Sequence, residues 1–263
     1  MNDDVAAFRD LGWPDVDAVV VLGSGWAPLV ESWPAPTYRA TYAEAGLRPP
    51  VAPGHAGEVS IVDSEGFRIL VLSGRTHLYE GHGPVEVGRN VRIAAALGAK
   101  VCVLTNANGS LFKDWPLGTI VALTDHINLS GTSPLVGANF VDLTDLYDRE
   151  LRAAVVENSK AAGIDLEQGV YAMFPGPYYE TASEAKMAAI MGADVVGMST
   201  VLEAIAVRAS GIKLMALSTV TAHEASGEII DPDEVVAVAE RAAAALGQPV
   251  LTTITNALQK EAR

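Results

Sequence analysis

This chain has a single cysteine, few basic residues and no long apolar run. Cys102 is the one cysteine among 263 residues, so a disulfide within the chain is excluded. It stands inside the apolar run from Val101 to Leu104, where a buried and inert thiol is expected. No run approaches the roughly 18 apolar residues of a membrane span, and the acidic N-terminus lacks a signal core. These absences predict a cytoplasmic protein with no membrane partner.

Positive charge is also scarce. Lysine and arginine number 18 against 32 aspartates and glutamates, which gives a net charge of −14. Such a molecule repels polyanions, so we expect no nucleic-acid partner. Local cations and backbone N–H groups would have to hold any anionic substrate. Hydrophobic residues make up 49 % of the chain, which indicates a large core.

Strand-length apolar runs alternate with helical patterns. Several runs are continuous, which is typical of strands buried on both faces. The predicted strands are Ala18–Leu22, Val59–Asp63, Phe67–Leu72, Lys100–Leu104, Thr119–Leu123, Gly169–Phe174, Asp194–Met198 and Lys213–Val220. The predicted helices are Val85–Leu97, Arg149–Ala162, Ser183–Met191, Val201–Ser210 and a last pattern from Asp231 to Arg263 with a break near Gly247. This alternation predicts one α/β domain over residues 1–263, with a mixed, largely parallel central sheet flanked by helices.

Polar, glycine-rich segments follow these strands, where α/β proteins collect their ligands. Gly23-Ser24-Gly25 can form an anion-binding nest of N–H groups, and an ordinary tight turn is the alternative. Pro28 stands where a dinucleotide fingerprint needs another glycine, so NAD is not expected. Ser199 lies at a helix N-terminus, which favours an anion, although Thr200 and Glu203 also match a capping box.

The segment from Gly74 to His82 packs a cation, two imidazoles, a phenol and a carboxylate between glycines. In an extended segment Arg75, His77 and Tyr79 share one face. Arginine offers a forked donor to phosphate and the imidazole adds another. The alternative is a solvated loop with an ion pair between Arg75 and Glu80. A metal site is not expected, because the two histidines lack a third ligand at metal spacing.

Two rings and a carboxylate follow the proline-fixed loop Pro175-Gly176-Pro177. Tyr179 can stack on a planar base, and Glu180 can accept a hydrogen bond from its ring N–H. The alternative for Glu180 is a cap on the following helix.

Seven motifs, in order along the chain, resemble those of the trimeric purine nucleoside phosphorylases. They are Gly23-Ser24-Gly25, Pro53-Gly54-His55-Ala56-Gly57, Gly74 to Gly81, Thr105-Asn106-Ala107, Thr124 to Leu129, Gly176 to Thr181 and Gly192 to Thr200. That family splits a purine ribo- or 2′-deoxyribonucleoside with inorganic phosphate into free base and a sugar 1-phosphate. The resemblance implies this activity, the nucleoside phosphorylase fold, a homotrimer, small-molecule partners, phosphate as co-substrate and no metal or organic cofactor.

The resemblance also implies roles for matching positions. The phosphate site would comprise Ser24, Arg75, His77, the backbone N–H of Ala107, and Ser199. The ribose would contact Tyr79 and Met198, and the base would contact Tyr179, Glu180, Val196 and Ala222. The catalytic candidates are His77, Glu180 and His223. His55 would border the pocket, and Phe140 would be the aromatic lent to a neighbouring subunit's site.

The chain departs from the family at Ala222. Relatives carry Thr-Asn at the end of this strand, and the asparagine amide contacts the purine at N7 and at the 6-substituent. This chain has Thr221-Ala222 instead, and losing such a donor typically costs about 3 kcal/mol of transition-state stabilisation. His223 or Glu224 can fill the vacancy, and a His–Glu pair on a surface loop is the alternative. Pro232 stands where the family has a ribose-contacting histidine.

Two other functions stay open on these residues. Methylthioadenosine-type phosphorylases also change this asparagine, but they lack the Tyr-Glu-Gly run that begins at Tyr79. A catalytically degenerate member could bind a nucleoside or phosphate without turnover. This function would explain the missing asparagine, but it would not explain why all the predicted phosphate-binding residues are present. Measuring base release from several nucleosides, with and without phosphate, separates all three functions.

Overall fold

The computed structural model describes residues 5–52, 55–112, 114–224 and 230–262. The strands are β1 Ala18–Leu22, β2 Tyr38–Thr41, β3 Glu58–Ser64, β4 Phe67–Ser73, β5 Val101–Ser110, β6 Ile120–Asn128, β7 Glu167–Met173, β8 Val195–Gly197 and β9 Lys213–His223. The α-helices are α1 Ala6–Asp10, α2 Pro84–Val87, α3 Arg89–Ala96, α4 Arg149–Ala161, α5 Ala182–Ile190, α6 Val201–Ala209, α7 Pro232–Ala244 and α8 Gly247–Glu261. Short 3₁₀ turns span Ala27–Val30 and Leu78–Glu80. Pro53 and Gly54 of the second family motif lie outside the described residues.

The strands form one mixed sheet in the order β2-β3-β4-β1-β5-β8-β7-β6-β9. Parallel pairs join β1 to β4 and β5, β5 to β9, β6 to β7 and β7 to β8. The pairs β2–β3, β3–β4, β5–β8 and β6–β9 are antiparallel. Because β9 also pairs with β5, the last five strands of this order close into a ring. The predicted α/β class with a mixed sheet and flanking helices is confirmed.

The central strands are buried on both faces, as their continuous apolar runs predicted. In β1, Val19 and Val21 join one apolar cluster, whereas Val20 and Leu22 join the cluster on the opposite face. Full burial of each such side chain contributes about 1.5–3 kcal/mol. Cys102 is fully buried on β5 as a free thiol. Within the part of the chain that the structure describes, no helix is long and apolar enough to cross a membrane.

Several boundaries differ from the sequence-based expectation. The short edge strand β2 was not predicted, because its four residues carry no strong apolar pattern. The helix expected over Val85–Leu97 divides into α2 and α3 at Gly88. A Cβ on Gly88 would lie 2.7 Å from the Cβ of Ala206, so the glycine lets this segment pack closely against α6. The break near Gly247, between α7 and α8, is as predicted.

One edge of the sheet gathers the polar segments. Because β1, β4, β5 and β9 run parallel, their carboxyl ends meet there. Both β5 and β9 continue past their apolar runs into polar residues, which the sequence did not predict. A bulge interrupts their pairing, since Asn108 pairs with Val220 and Gly109 with Ala222. Thr221 is therefore the additional residue of the bulge, close to the carboxyl end of β9.

Candidate active site

An open cavity lies at this edge, with about 700 Å³ of space free of protein atoms when its solvent-filled mouth is included. Its lining includes most of the site residues predicted from the sequence, namely Ser24, Arg75, His77, Tyr79, Ala107, Tyr179, Glu180, Val196, Met198, Ser199 and Ala222. The other lining residues are Asn106, Asn108, Gly109, Gly197, Thr221, Glu224, Ile230 and Val235. Segments far apart in the sequence thus form one continuous wall.

Arg75 is a buried cation at one end of the cavity, with 1 % of its surface exposed. Its Nη1 donates to the Thr105 carbonyl at 2.6 Å and lies 3.4 Å from Ser199 Oγ. Its Nε lies 3.0 Å from Glu203 Oε2. Its Nη2 is buried and has no hydrogen-bond partner in the described part of the chain. A buried donor without a partner is costly, so this end of the cavity suits an anionic acceptor.

Gly23 lets the first loop approach this arginine. A Cβ at position 23 would lie 2.4 Å from the Thr105 carbonyl oxygen and 3.0 Å from Arg75 Nη1. The Gly23 N–H donates to Thr105 Oγ1 at 2.9 Å, and the Trp26 indole donates to the Asn106 carbonyl at 2.8 Å. These contacts hold the turn that carries Ser24 against the end of β5. The turn is therefore part of the cavity wall.

The predicted capping box at Thr200 and Glu203 is wrong. Thr200 makes no side-chain cap on α6 and adopts a left-handed backbone with φ of 73°. Its hydroxyl accepts from Asn106 Nδ2 at 2.7 Å, and the Ser199 N–H donates to the Tyr171 hydroxyl at 3.2 Å. Glu203, 1 % exposed, pairs with Arg75 instead. Hydrogen bonds to neighbouring strands stabilise this unusual conformation, which carries Ser199 into the cavity.

His77 and Tyr79 form the adjoining wall. Their rings stack with centroids 4.7 Å apart and an interplanar angle of 12°. Glu80 accepts from the His77 N–H at 2.8 Å and lies 3.4 Å from its Nδ1. The expected alternative of an Arg75–Glu80 ion pair is therefore wrong. Burial raises the pKa of Tyr79 to about 12, so its phenol stays protonated.

His55 and Phe140 lie outside the cavity lining. The His55 ring centroid is 5.4 Å from that of His77, so His55 stands directly behind the wall. Phe140 is 94 % exposed. An aromatic side chain that contributes to a neighbouring subunit's site would be exposed in a single chain, and this role stays a prediction.

Tyr179 and Glu180 line the same cavity from the loop after β7. The α5 cap is Thr181, whose hydroxyl and N–H both bond to Glu184, so Glu180 is not the cap. Glu180 Oε1 is buried without a hydrogen-bond partner among the described residues. Burial, with a smaller effect of the Glu184 charge, raises the pKa of Glu180. This carboxyl can accept a ligand N–H.

The structure distinguishes between His223 and Glu224, the two candidates to replace the asparagine that relatives carry at the position of Ala222. The imidazole of His223 does not line the cavity, since its Nε2 lies 2.7 Å from the Trp115 carbonyl oxygen. Glu224 lines the cavity and is 8 % exposed. His223 therefore does not occupy the position expected of a catalytic or base-contacting residue, because alternation along the extended backbone directs it away. The alternative of a surface His–Glu pair is excluded, since the Glu224 carboxyl faces the cavity.

The described residues contain no set of side chains arranged as metal ligands. No group of three or more histidine, cysteine, aspartate or glutamate side chains there could hold a metal ion. His55, His77 and Glu80 lie close together, but as stacked and hydrogen-bonded side chains of the cavity wall.

The fold and the cavity define a class. A cavity at the carboxyl ends of parallel strands brings a buried guanidinium together with an aromatic ring and a carboxyl group. A model of the Phosphorylase superfamily matches residues 17–255 of the chain.

Relatives narrow this class. The purine nucleoside phosphorylase of Mycobacterium tuberculosis is 47 % identical over 234 residues, covering 88 % of this chain and 86 % of that protein. Purine nucleoside phosphorylase 1 of Bacillus subtilis is 34 % identical over 248 residues, covering 90 % and 91 %. The structure of Schistosoma mansoni purine nucleoside phosphorylase in complex with adenosine superimposes with a TM-score of 0.85 at 31 % identity, covering 96 % and 95 % of the two chains. The chain therefore belongs to the purine nucleoside phosphorylase family of the phosphorylase superfamily.

Two important residues were missed or undecided from the sequence. Glu203 is a lone carboxylate in a helix whose neighbours Leu202, Ala204 and Ile205 are buried. A carboxylate on a buried apolar helix requires a cationic partner, and that signal could have linked it to Arg75. Glu224 carried no comparable signal, because its orientation depends on the bulge at Thr221.

Proposed function

We propose that this protein cleaves the N-glycosidic bond of purine nucleosides with inorganic phosphate, releasing free base and a pentose 1-phosphate. The observation that carries the proposal is a single cavity that joins the buried Arg75 guanidinium and Ser199 to Glu180. Relatives at 34–47 % identity over most of the chain are purine nucleoside phosphorylases, which supports the same activity here.

Phosphate would bind at the Arg75 end. The unpaired Nη2 of Arg75, the hydroxyls of Ser24 and Ser199, the backbone N–H of Ala107 and the ring of His77 supply the donors. A guanidinium and preorganised donors in a buried site bind an oxyanion strongly, even in a chain of net charge −14. The bound phosphate also opposes the positive charge that develops on the sugar as the glycosidic bond breaks.

The nucleoside would fill the remainder of the cavity. Tyr79 and Met198 would contact the ribose, Tyr179 would stack on the purine, and Val196 would lie beneath it. The purine gains negative charge as it leaves, so a proton or hydrogen-bond donors on the base lower the barrier. Glu180 would hold the base by accepting its N1–H. Phosphate supplies the nucleophile, and the proposed reaction uses no metal ion or organic cofactor.

We also propose a homotrimer in which Phe140 of one subunit reaches the site of the next. Apolar exposure along this segment supports it, since Val136 is 72 % exposed and Phe140 is 94 % exposed. Exposed apolar side chains that form a contiguous patch typically mark a binding surface, whereas single ones do not.

The test is chromatographic measurement of base released from inosine, guanosine, adenosine and methylthioadenosine, with and without phosphate. Phosphate-dependent release of hypoxanthine together with ribose 1-phosphate is expected, and activity should survive dialysis against a chelator. Release of base without phosphate, from methylthioadenosine alone, or from none of the four nucleosides would contradict the proposal.

A further inference from the structure

Two carboxyl groups line the cavity together. Glu180 comes from the loop after β7, and Glu224 follows β9. They lie close enough that the charge of Glu180 contributes to a raised pKa at Glu224. The buried guanidinium of Arg75, which lines the same cavity, pairs with Glu203. A pair of carboxyls in one water-poor site favours a state in which one is ionised and the other neutral.

The fold builds a place for the Glu224 side chain. A Cβ on Gly109 would lie 1.9 Å from Glu224 Oε1 and 2.6 Å from its Cδ, so the absence of a side chain at Gly109 makes room for this carboxyl. The Glu224 N–H donates to the Ser110 carbonyl at 2.9 Å, which anchors the backbone. Ala222, two residues earlier, is too short to compete for the same space. Glu224 is therefore the ionisable side chain that the segment directly after β9 presents to the cavity.

The surroundings of Glu224 favour the neutral form of its carboxyl group. Burial and the charge of Glu180 raise the pKa of Glu224 to about 7. Among the described lining residues, Glu180 and Tyr179 from the loop after β7 are the titratable groups beside Glu224, and Asp231 adds a negative charge near Tyr179. The strands β5 and β8 contribute uncharged residues here, Asn108, Gly109 and Val196.

A neutral and an ionised carboxyl side by side match one edge of a 6-oxopurine. Hypoxanthine and guanine present an N1–H donor next to the O6 acceptor, whereas adenine presents an N6 amino donor at the same place. We propose that neutral Glu224 donates a hydrogen bond to O6 while ionised Glu180 accepts the N1–H, which makes Glu224 the residue that selects 6-oxopurines. This inference rests on the proposed phosphorolysis and names a residue of this chain that determines the base preference of that site.

The proposal predicts a pH-dependent preference. The neutral form of Glu224 predominates below its pKa and is lost as the pH rises through about 7. The ratio of kcat/KM for inosine to that for adenosine should fall about tenfold between pH 6 and pH 8. The ratio is the proper readout, because phosphate also changes its protonation in this range and does so equally for both nucleosides.

Two variants test the donor. Glu224→Gln carries an amide that donates at every pH, so we expect high inosine activity and a ratio that no longer changes with pH. Glu224→Ala has no donor, and its kcat/KM for inosine should fall about a hundredfold at pH 6. Glu234→Gln is the matched control, since it makes the same side-chain change at an exposed position on α7 and should keep the wild-type pH dependence.

Three outcomes would overturn the proposal: a Glu224→Gln enzyme that keeps the wild-type fall in the ratio, a Glu224→Ala enzyme that keeps the wild-type ratio, or a wild-type ratio independent of pH. Calorimetric binding of hypoxanthine and adenine at both pH values tests the same contact without turnover. If no nucleoside is cleaved but hypoxanthine binding weakens at pH 8 in the wild type and not in Glu224→Gln, the proposed reaction is wrong and the Glu224 contact stands. If cleavage occurs without this dependence, Glu224 is not the selector.

Discussion

The Arg75–Glu203 pair stabilises the anion site at the scale of single residues. Both side chains are about 2 % exposed, and the Nε–Oε2 distance is 3.0 Å. Removing one member of a buried pair leaves an uncompensated charge in the interior. Glu203 also orients the guanidinium, so that Nη1 meets the Thr105 carbonyl while Nη2 stays available to a ligand. We regard Glu203 as a positioning residue.

Glu203→Gln should therefore affect phosphate more than nucleoside. We expect the free energy of unfolding to fall by about 3 kcal/mol, since the buried guanidinium loses its counter-charge. The KM for phosphate should rise about tenfold, whereas the KM for inosine should change little. Urea denaturation and steady-state kinetics measure the two effects.

Glu58→Gln is the control, because the Arg39–Glu58 pair is exposed and 3.5 Å apart. It should cost less than about 1 kcal/mol and leave both KM values unchanged. If Glu203→Gln lowers stability without raising the KM for phosphate, Glu203 is structural only.

At the scale of elements, one helix cap affects both the stability of the fold and the shape of the cavity. Asp231 caps α7 by accepting from the Asp233 N–H at 2.9 Å, and α7 supplies Val235 to the cavity wall. Asp148 caps α4 in the same way, accepting from Leu151 N–H at 2.9 Å. No residue of α4 lines the described cavity. Both caps are aspartates that accept a backbone N–H, but only the helix capped by Asp231 contributes a residue to the cavity wall.

Asp231→Ala and Asp148→Ala should each lower the free energy of unfolding by about 1 kcal/mol. Only Asp231→Ala should raise the KM for inosine, by a few-fold, because fraying the first turn of α7 displaces Val235. Thermal unfolding and kinetics on both variants check this. An equal change in KM for both variants, or none for either, would show that α7 does not shape the cavity through its first turn.

At the scale of the whole molecule, the acidic charge and the exposed apolar segment have different consequences. A net charge of −14 favours solubility and disfavours polyanions, but it leaves phosphate recognition to the buried Arg75. Phe140 and Val136 leave apolar side chains exposed on the surface of the single chain. The proposed trimer would cover the apolar segment that contains Val136 and Phe140, and it would complete each active site with a residue from the neighbouring subunit.

Light scattering after gel filtration should give the mass of three chains. Phe140→Ala should keep that mass and raise the KM for inosine about tenfold, whereas Phe140→Tyr keeps the ring and should retain the wild-type value. A fully active monomer would contradict the proposed assembly, and an unchanged KM in Phe140→Ala would show that this ring does not reach a neighbouring site.

Local patterns in the sequence were sufficient to predict much of this protein. The apolar runs predicted β1, β4 and β9 because a strand buried on both faces needs continuous apolar residues. Glycines and polar residues directly after β1 and β4 made Ser24 and Arg75 candidates, since chain direction places such segments at one edge of a parallel sheet, whereas Ala107 became a candidate only through the family resemblance. The order of the motifs along the chain was sufficient to identify the family.

Contacts between distant residues required the tertiary structure. Arg75 and Glu203 are 128 residues apart, and their pairing replaced both the ion pair and the capping box that local spacing suggested. The bulge between β5 and β9 turns Glu224 into the cavity and His223 toward Trp115. The closed ring of strands likewise depends on β9 meeting β5. Local patterns specify which groups are present near a strand end, but packing across the sheet decides which of them face the same space.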